Sequence, residues 1–265
     1  PEQPEEERFV PEEQARAEVQ GLTEADVARE LAAILKVPKS RDSVMVFSMF
    51  STGEFDRRYF LLDVDGNVPT GLSQGCPEHI FAAFKAYRYA IKHFNLCDKV
   101  LITGGSMGGH VAMNFANTFP SIVLAAGLFY PRLNMDTTDV DGPSCRGTWD
   151  KTKVNSLGFS THEKIISVYR FPSDEWCEEN TTGFNPHRTR SFTDADGKRV
   201  IIPPCPIKIW QGLDDVTVDP VLTKEYVDSI HRAGCYAELH LLEGVAHKTT
   251  PVMREELVLW FNRFI

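Results

Sequence analysis

The chain has 265 residues, 42% hydrophobic and 25% charged, a balance close to that of an ordinary globular protein with ample material for a core. A formal net charge of -9 argues against nucleic acid as a partner, because phosphate binding needs a basic face. No apolar run is long enough to span a membrane. The six cysteines, at 76, 97, 145, 177, 205 and 235, contain neither a C-x-x-C pair nor a zinc-type spacing and read mostly as core or surface thiols; Cys145 and Cys177 fall in one irregular region and could pair in an exported protein. Starting at Pro1 without a methionine, the chain reads as a processed or excised segment, which leaves its compartment and its oligomeric state open.

Residues 1–8, with four glutamates and two prolines, read as a solvated lead-in. Helical periodicity runs from Pro11 to about Val19, breaks at Gly21 and resumes after Thr23. There Asp26 completes a capping-box spacing, and Val27, Leu31, Ile34 and Leu35 line one face. Residues 1–40 are therefore expected to form an acidic, helical extension. Strands are expected over 43–50 and 58–64. Pro77 opens a helix in which Ile80, Phe81, Phe84, Tyr87, Ile91 and Phe94 recur at helical spacing. A strand over 98–103 then runs into Gly104-Gly105-Ser106-Met107-Gly108-Gly109, and the segment from His110 to Phe119 has helical composition.

The run 122–131 is almost continuously apolar, as in a strand buried on both faces. Periodicity is poor from about Arg132 to Pro204, where only 161–169 looks helical and 192–202 reads as a hairpin around Asp194-Ala195-Asp196-Gly197. This stretch is too long for a simple loop, so 132–202 is expected to be an inserted cap. Regular pattern returns with a strand over 206–210, a helix over 221–232 capped by Asp219-Pro220, a strand over 236–242, and a closing helix from Thr250-Pro251 with Leu257, Trp260, Phe261 and Phe264 inward. Strands separated by helices imply an α/β core of 41–131 and 203–265, a mostly parallel central sheet with helices on both faces.

Ser106 sits where a strand meets a helix, with glycines on both sides. A serine in so tight a turn needs neighbours without a Cβ where backbone segments approach closely. Its hydroxyl is a weak nucleophile at neutral pH and needs a base, which in turn needs a carboxylate to orient it and to stabilise its charged form. His247 lies just past the strand 236–242 in Gly244-Val245-Ala246-His247. Asp215 lies just past the strand 206–210 in Gly212-x-x-Asp215-x-x-Val218, with Asp214 beside it as the other candidate orienter. His240 lies within a strand and His231 near a helix end, and both read as packing or surface residues; His110 reads as a helix residue. The Asp-x-Asp-Gly strings at 63–66, 139–142 and 194–197 lack the remaining ligands of a calcium loop and read as turns.

The spacing Gly104-x-Ser106-x-Gly108, followed in order by an acid and a histidine that each leave a strand end, resembles the α/β-hydrolase superfamily from residue 98 to 265. Earlier residues match it poorly, and the first strands of the superfamily's sheet are expected to be absent or altered. The resemblance implies Ser106 as nucleophile, His247 as base and, by spacing from Gly212, Asp215 as orienter. It also implies an oxyanion hole with the Met107 backbone N–H as one donor, worth about 3 kcal/mol in the transition state. Many relatives carry a His-Gly pair for the second donor; here the corresponding place is Phe50-Ser51-Thr52-Gly53. The Gly-x-Ser-Met-Gly-Gly form resembles esterases of the feruloyl and acetyl ester type and prolyl-oligopeptidase-like domains. The expected activity is therefore hydrolysis of carboxylic esters, of small acyl groups or acyl groups on carbohydrate, through an acyl-enzyme and without metal or organic cofactor. A serine peptidase is the alternative, and a binding module that kept the fold without turnover is a third reading. Tyr130, Trp149, Trp176 and Phe184 could wall a pocket or hold the cap together, and Arg132, Arg146, Arg188 and Arg190 could meet a carboxylate or solvent.

Overall fold

The computed structural model describes residues 44–48, 59–63, 75–93, 96–134 and 184–265, the first two stretches as backbone only. The expectations for residues 1–40, the helix at 161–169, Phe50 to Gly53, Cys145, Cys177, Trp149, Trp176 and Arg146 lie outside the described residues. So does most of the segment 132–202.

In chain order the elements are β1 (Val44–Ser48), β2 (Tyr59–Asp63), α1 (Pro77–His93), β3 (Val100–Gly105), α2 (Met107–Thr118), β4 (Val123–Phe129), β5 (Ser191–Thr193), β6 (Arg199–Ile201), β7 (Ile207–Gly212), α3 (Pro220–Arg232), β8 (Ala237–Leu242) and α4 (Pro251–Phe261). Six strands form one sheet in the order β2-β1-β3-β4-β7-β8, and every neighbouring pair is parallel. β5 and β6 form a separate antiparallel hairpin. Its turn is closed by Asp194, whose Oδ1 accepts from the backbone N–H groups of Asp196 and Lys198, the turn role expected of that Asp-x-Asp-Gly string.

The apolar runs that announced the strands are buried on both faces, as an all-parallel sheet requires. Side chains alternate across a strand, so Leu101, Ala125, Phe129 and Trp210 share one face, where Met253, Leu257, Trp260 and Phe261 of α4 cover them. Ile102, Ala126, Leu128 and Ile209 point to the other face and are fully buried as well. Burying a side chain of this size contributes about 1.5–3 kcal/mol. A charged pair of strands lies under α4. Glu256 of the helix accepts from Trp210 Nε1 at 2.7 Å and meets His240 Nδ1 at 2.9 Å, while Lys208 stands 3.5 Å from Glu256 and 3.4 Å from Glu238. His240 is thus a packing residue, and His231, whose Nε2 meets the Ala237 carbonyl at 2.9 Å, is another. Cys205 is buried, which pushes its thiol up to about 12 and keeps it protonated. Cys97, Cys205 and Cys235 are free thiols. No helix among the described residues is long and apolar enough to cross a membrane.

Two features of this order fix where chemistry can occur. From β1 the chain steps outward to β2 and then returns to the opposite side of β1 as β3. The order therefore reverses between β1 and β3, and the crevice outside the carboxyl ends of strands at such a point is where α/β sheets bind ligands. Ser106 stands at the carboxyl end of β3. The second feature corrects a boundary: α2 begins at Met107, three residues before the helical composition became visible at His110. Glycines 108 and 109 are poor helix formers and hid its first turn. Gly104, at the other side of this turn, is a glycine because β3 and α2 nearly touch. A Cβ on Gly104 would lie 2.3 Å from the Gly108 carbonyl oxygen and 2.8 Å from the Gly109 nitrogen, both backbone atoms that cannot swing aside. Gly104→Ala is expected to destabilise the fold by at least about 3 kcal/mol, read as a lower denaturant midpoint.

Candidate active site

Three strand ends converge on the candidate residues, and each holds its residue by a different device. At the end of β3 the backbone of Ser106 adopts φ 53 and ψ -120, a conformation that a residue with a Cβ rarely takes. Backbone bonds hold it there. Ser106 N–H donates to the Phe129 carbonyl at 3.0 Å, and its own carbonyl accepts from Gly109, His110 and Arg132 at 3.1, 3.3 and 3.0 Å. The Met107 N–H opens α2. As one of the first amides of a helix it has no intrahelical acceptor, and it takes no partner among the described residues.

The ends of β7 and β8 are bonded to each other. Leu213 N–H donates to the Leu242 carbonyl at 2.9 Å and Asp214 N–H to the Val245 carbonyl at 3.0 Å. Gly212 makes the approach possible, since a Cβ there would fall 2.1 Å from the Val245 carbonyl oxygen. This brings His247 Nδ1 to 2.8 Å from Asp215 Oδ2. The Asp215 side chain is completely buried while that of His247 is 25% exposed. Asp215 Oδ1 accepts from the N–H groups of Thr217 and Val218, each at 2.9 Å, and Oδ2 accepts from Gln211 Nε2 at 3.1 Å as well as meeting the imidazole. With Nδ1 facing that carboxylate, a neutral imidazole donates Nδ1–H to it and keeps Nε2 as its acceptor nitrogen. Asp214 is exposed and makes no such pair.

Among the described residues, no hydrogen bond joins the Ser106 hydroxyl to His247; bonds of this kind are often loose until substrate binds. The two ends are connected through Tyr130. Its backbone N–H donates to the Trp210 carbonyl at 2.7 Å, its ring lies 4.4 Å from the His247 ring, centroid to centroid, and its hydroxyl bonds Thr249 Oγ1 at 2.7 Å. On the opposite side, a Cβ on Gly105 would meet the Tyr130 ring at 3.2 Å. Tyr130 is thus wedged between the residue preceding Ser106 and the imidazole. Sequence reasoning left it as a pocket wall or a cap residue. The available signal was its place at the end of the apolar run 122–131, next to Pro131.

The remaining candidates are placed elsewhere. His110 is fully buried, with Nδ1 3.2 Å from the Arg132 carbonyl and Nε2 3.1 Å from Asn114 Nδ2. Burial, reinforced by the Arg132 charge, holds this imidazole well below the ordinary histidine range. It is a neutral structural residue of α2. Arg132 is 8% exposed, which removes the solvated reading for it. Arg190 is exposed and donates from Nε to the Ile202 carbonyl at 3.2 Å, a contact that closes the β5–β6 hairpin. The Phe184 carbonyl accepts from Asn114 Nδ2 at 2.7 Å.

No family model matches the sequence, and no curated protein matches it. Solved structures do. A dipeptidyl aminopeptidase IV candidate from Bacteroides ovatus superposes with a TM-score of 0.53 at 14% identity, over 84% of this chain and 31% of that one. A puromycin-hydrolyzing peptidase from Mycobacterium tuberculosis gives 0.54 at 14% identity, over 84% of this chain and 33% of that one. An esterase from Thermogutta terrifontis, solved with butyrate bound, gives 0.52 at 18% identity, over 85% of this chain and 83% of that one. The chain therefore spans about a third of the length of either peptidase and most of the esterase's length.

Proposed function

The chain has the α/β-hydrolase fold, and from that premise we propose that it is a serine hydrolase cleaving carboxylic esters, of small acyl groups or acyl groups on carbohydrate, through an acyl-enzyme. The observation that carries the reading is the buried Asp215 paired at 2.8 Å with a partly exposed His247, at the ends of β7 and β8, with β4 alone between them and the strand that ends at a left-handed serine. His247 Nε2 takes the hydroxyl proton as Ser106 Oγ attacks the acyl carbon, and Asp215 steadies the imidazolium that results. Negative charge gathers on the former carbonyl oxygen, and the Met107 N–H at the start of α2 donates to it, helped by the positive end of the helix. The second donor is expected in the segment Phe50 to Gly53, outside the described residues. Collapse of the intermediate expels the alcohol, which takes the proton from His247, and water then repeats the sequence to free the acid and restore Ser106. No metal or organic cofactor enters the cycle.

Ester rather than amide substrates are favoured by the share of each chain matched: the Thermogutta esterase is matched over 83% of its length and the two peptidases over about a third. A serine peptidase is the second reading, supported by those same two peptidases. The esterase has also been solved phosphonylated by sarin, and a fluorophosphonate is the corresponding probe. We expect it to modify Ser106 in the folded chain, and a panel of short nitrophenyl esters to turn over faster than matched peptide amides. Modification with amides preferred selects the peptidase, and a chain that neither reacts nor turns over either class is the non-catalytic module.

A further inference from the structure

The bonded chain that includes His247 and Asp215 extends two residues farther into the core. Gln211, the penultimate residue of β7, is fully buried, and its Nε2 donates at 3.1 Å to Asp215 Oδ2, the oxygen that also meets His247. The far end of the amide is held from α3, where Thr223 Oγ1 donates to Gln211 Oε1 at 2.9 Å. Nε2 also faces the carbonyl oxygens of Gly212 and Val218, at 3.2 and 3.3 Å. With three oxygens around Nε2 and a hydroxyl at Oε1, the amide has one orientation, because a flip would aim its oxygen at three others. Thr223 is also fully buried. A helical threonine ordinarily returns its hydroxyl to the carbonyl a turn earlier, and this one reaches across to the strand.

We propose that Gln211, oriented by Thr223, is a positioning residue that tunes the basicity of the Asp215–His247 pair. Its consequence for catalysis rests on the serine-hydrolase reading; its consequence for the imidazole does not. Each N–H that Asp215 accepts draws charge from the carboxylate and weakens its hold on an imidazolium. Removal of the Gln211 donor leaves more charge on Oδ2, favours the protonated imidazole and raises the pH at which His247 becomes free to act as a base. Among the described residues, the titratable groups facing that imidazole are Asp215 from the end of β7 and Tyr130 from the end of β4. Asp214 and Lys248 flank the pair along the chain, and all four stay in place in the variants below.

The test compares the full chain with Gln211→Met, Thr223→Val and the double variant. Two midpoints are measured in each: the His247 imidazole titration by NMR, and the pH dependence of fluorophosphonate attachment to Ser106. Gln211→Met is expected to move both midpoints up by about one pH unit. Thr223→Val is expected to move them the same way by less, and to add nothing in the double variant, because Thr223 acts through Gln211. Unmoved midpoints in folded Gln211→Met, or in Thr223→Val should Gln211→Met fail to fold, overturn the proposal. So does a reaction that is slower at every pH with its midpoint unchanged, the mark of a packing role. An imidazole midpoint that moves in a chain whose Ser106 never reacts upholds the tuning and refutes the serine-hydrolase reading alone.

Discussion

Ser106→Ala is expected to lower kcat for a short nitrophenyl ester by about 10⁶-fold, measured with the purified variant against wild type under saturating substrate. The size follows from what the substitution removes. The hydroxyl is the only atom that forms a bond to substrate in this reading, so His247 loses the proton it would take and no acyl-enzyme accumulates. What remains is water attacking beside a preorganised donor. Alanine meets the same left-handed backbone as serine, so stability should change by less than about 0.5 kcal/mol and unfolding cannot be blamed for the loss. A variant that keeps a hundredth of the wild-type rate would remove Ser106 from the mechanism.

Asp215→Asn should lower kcat by about 10⁴-fold, for a reason the hydrogen bonds make specific. The two backbone N–H groups of Thr217 and Val218 hold one side-chain oxygen and will keep it, so the asparagine carbonyl must take that position. Its NH₂ then occupies the place of Oδ2 and points at His247 Nδ1 and at the Gln211 amide hydrogens. The imidazole can only accept there, which puts its proton on Nε2, where it cannot take another from serine. Donor now also faces donor at Gln211, and about 1–3 kcal/mol of stability should be lost with the activity. Asp214→Asn, at an exposed neighbour, is the control and should leave kcat within about twofold. Equal effects from the two would dissolve the assignment of Asp215 as orienter.

The parts of this molecule legible in its sequence are those governed by local pattern. The runs at 98–103, 122–131 and 206–210 could be read as strands from their apolar and β-branched residues, and 122–131 as one covered on both faces because it is almost continuously apolar. The start of α2 could not, because Gly108 and Gly109 fill its first turn and are poor helix formers. At the candidate site, the strand ends that Ser106 and His247 follow were legible. The choice between Asp214 and Asp215 needed a family spacing, and the geometry now pairs Asp215 with the imidazole. Tyr130, Gln211 and Thr223 were not assigned their present contacts at all. Their partners lie on other strands and helices, and which strands are neighbours depends on topology that no short motif records. An isolated glutamine in a strand or threonine in a helix carries no trace of the oxygen it will face.

The left-handed backbone at Ser106 also bears on how this chain can change over evolutionary time. Holding a residue with a Cβ at φ 53 stores about 1–3 kcal/mol of strain. Glycine would release it at an entropic cost of about 0.5–1 kcal/mol. Ser106→Gly should therefore raise the denaturation midpoint, by about 1 kcal/mol in stability, while ending turnover. A lineage selected for robustness alone would drift toward glycine at this position, and in the serine-hydrolase reading it is chemistry that retains the serine.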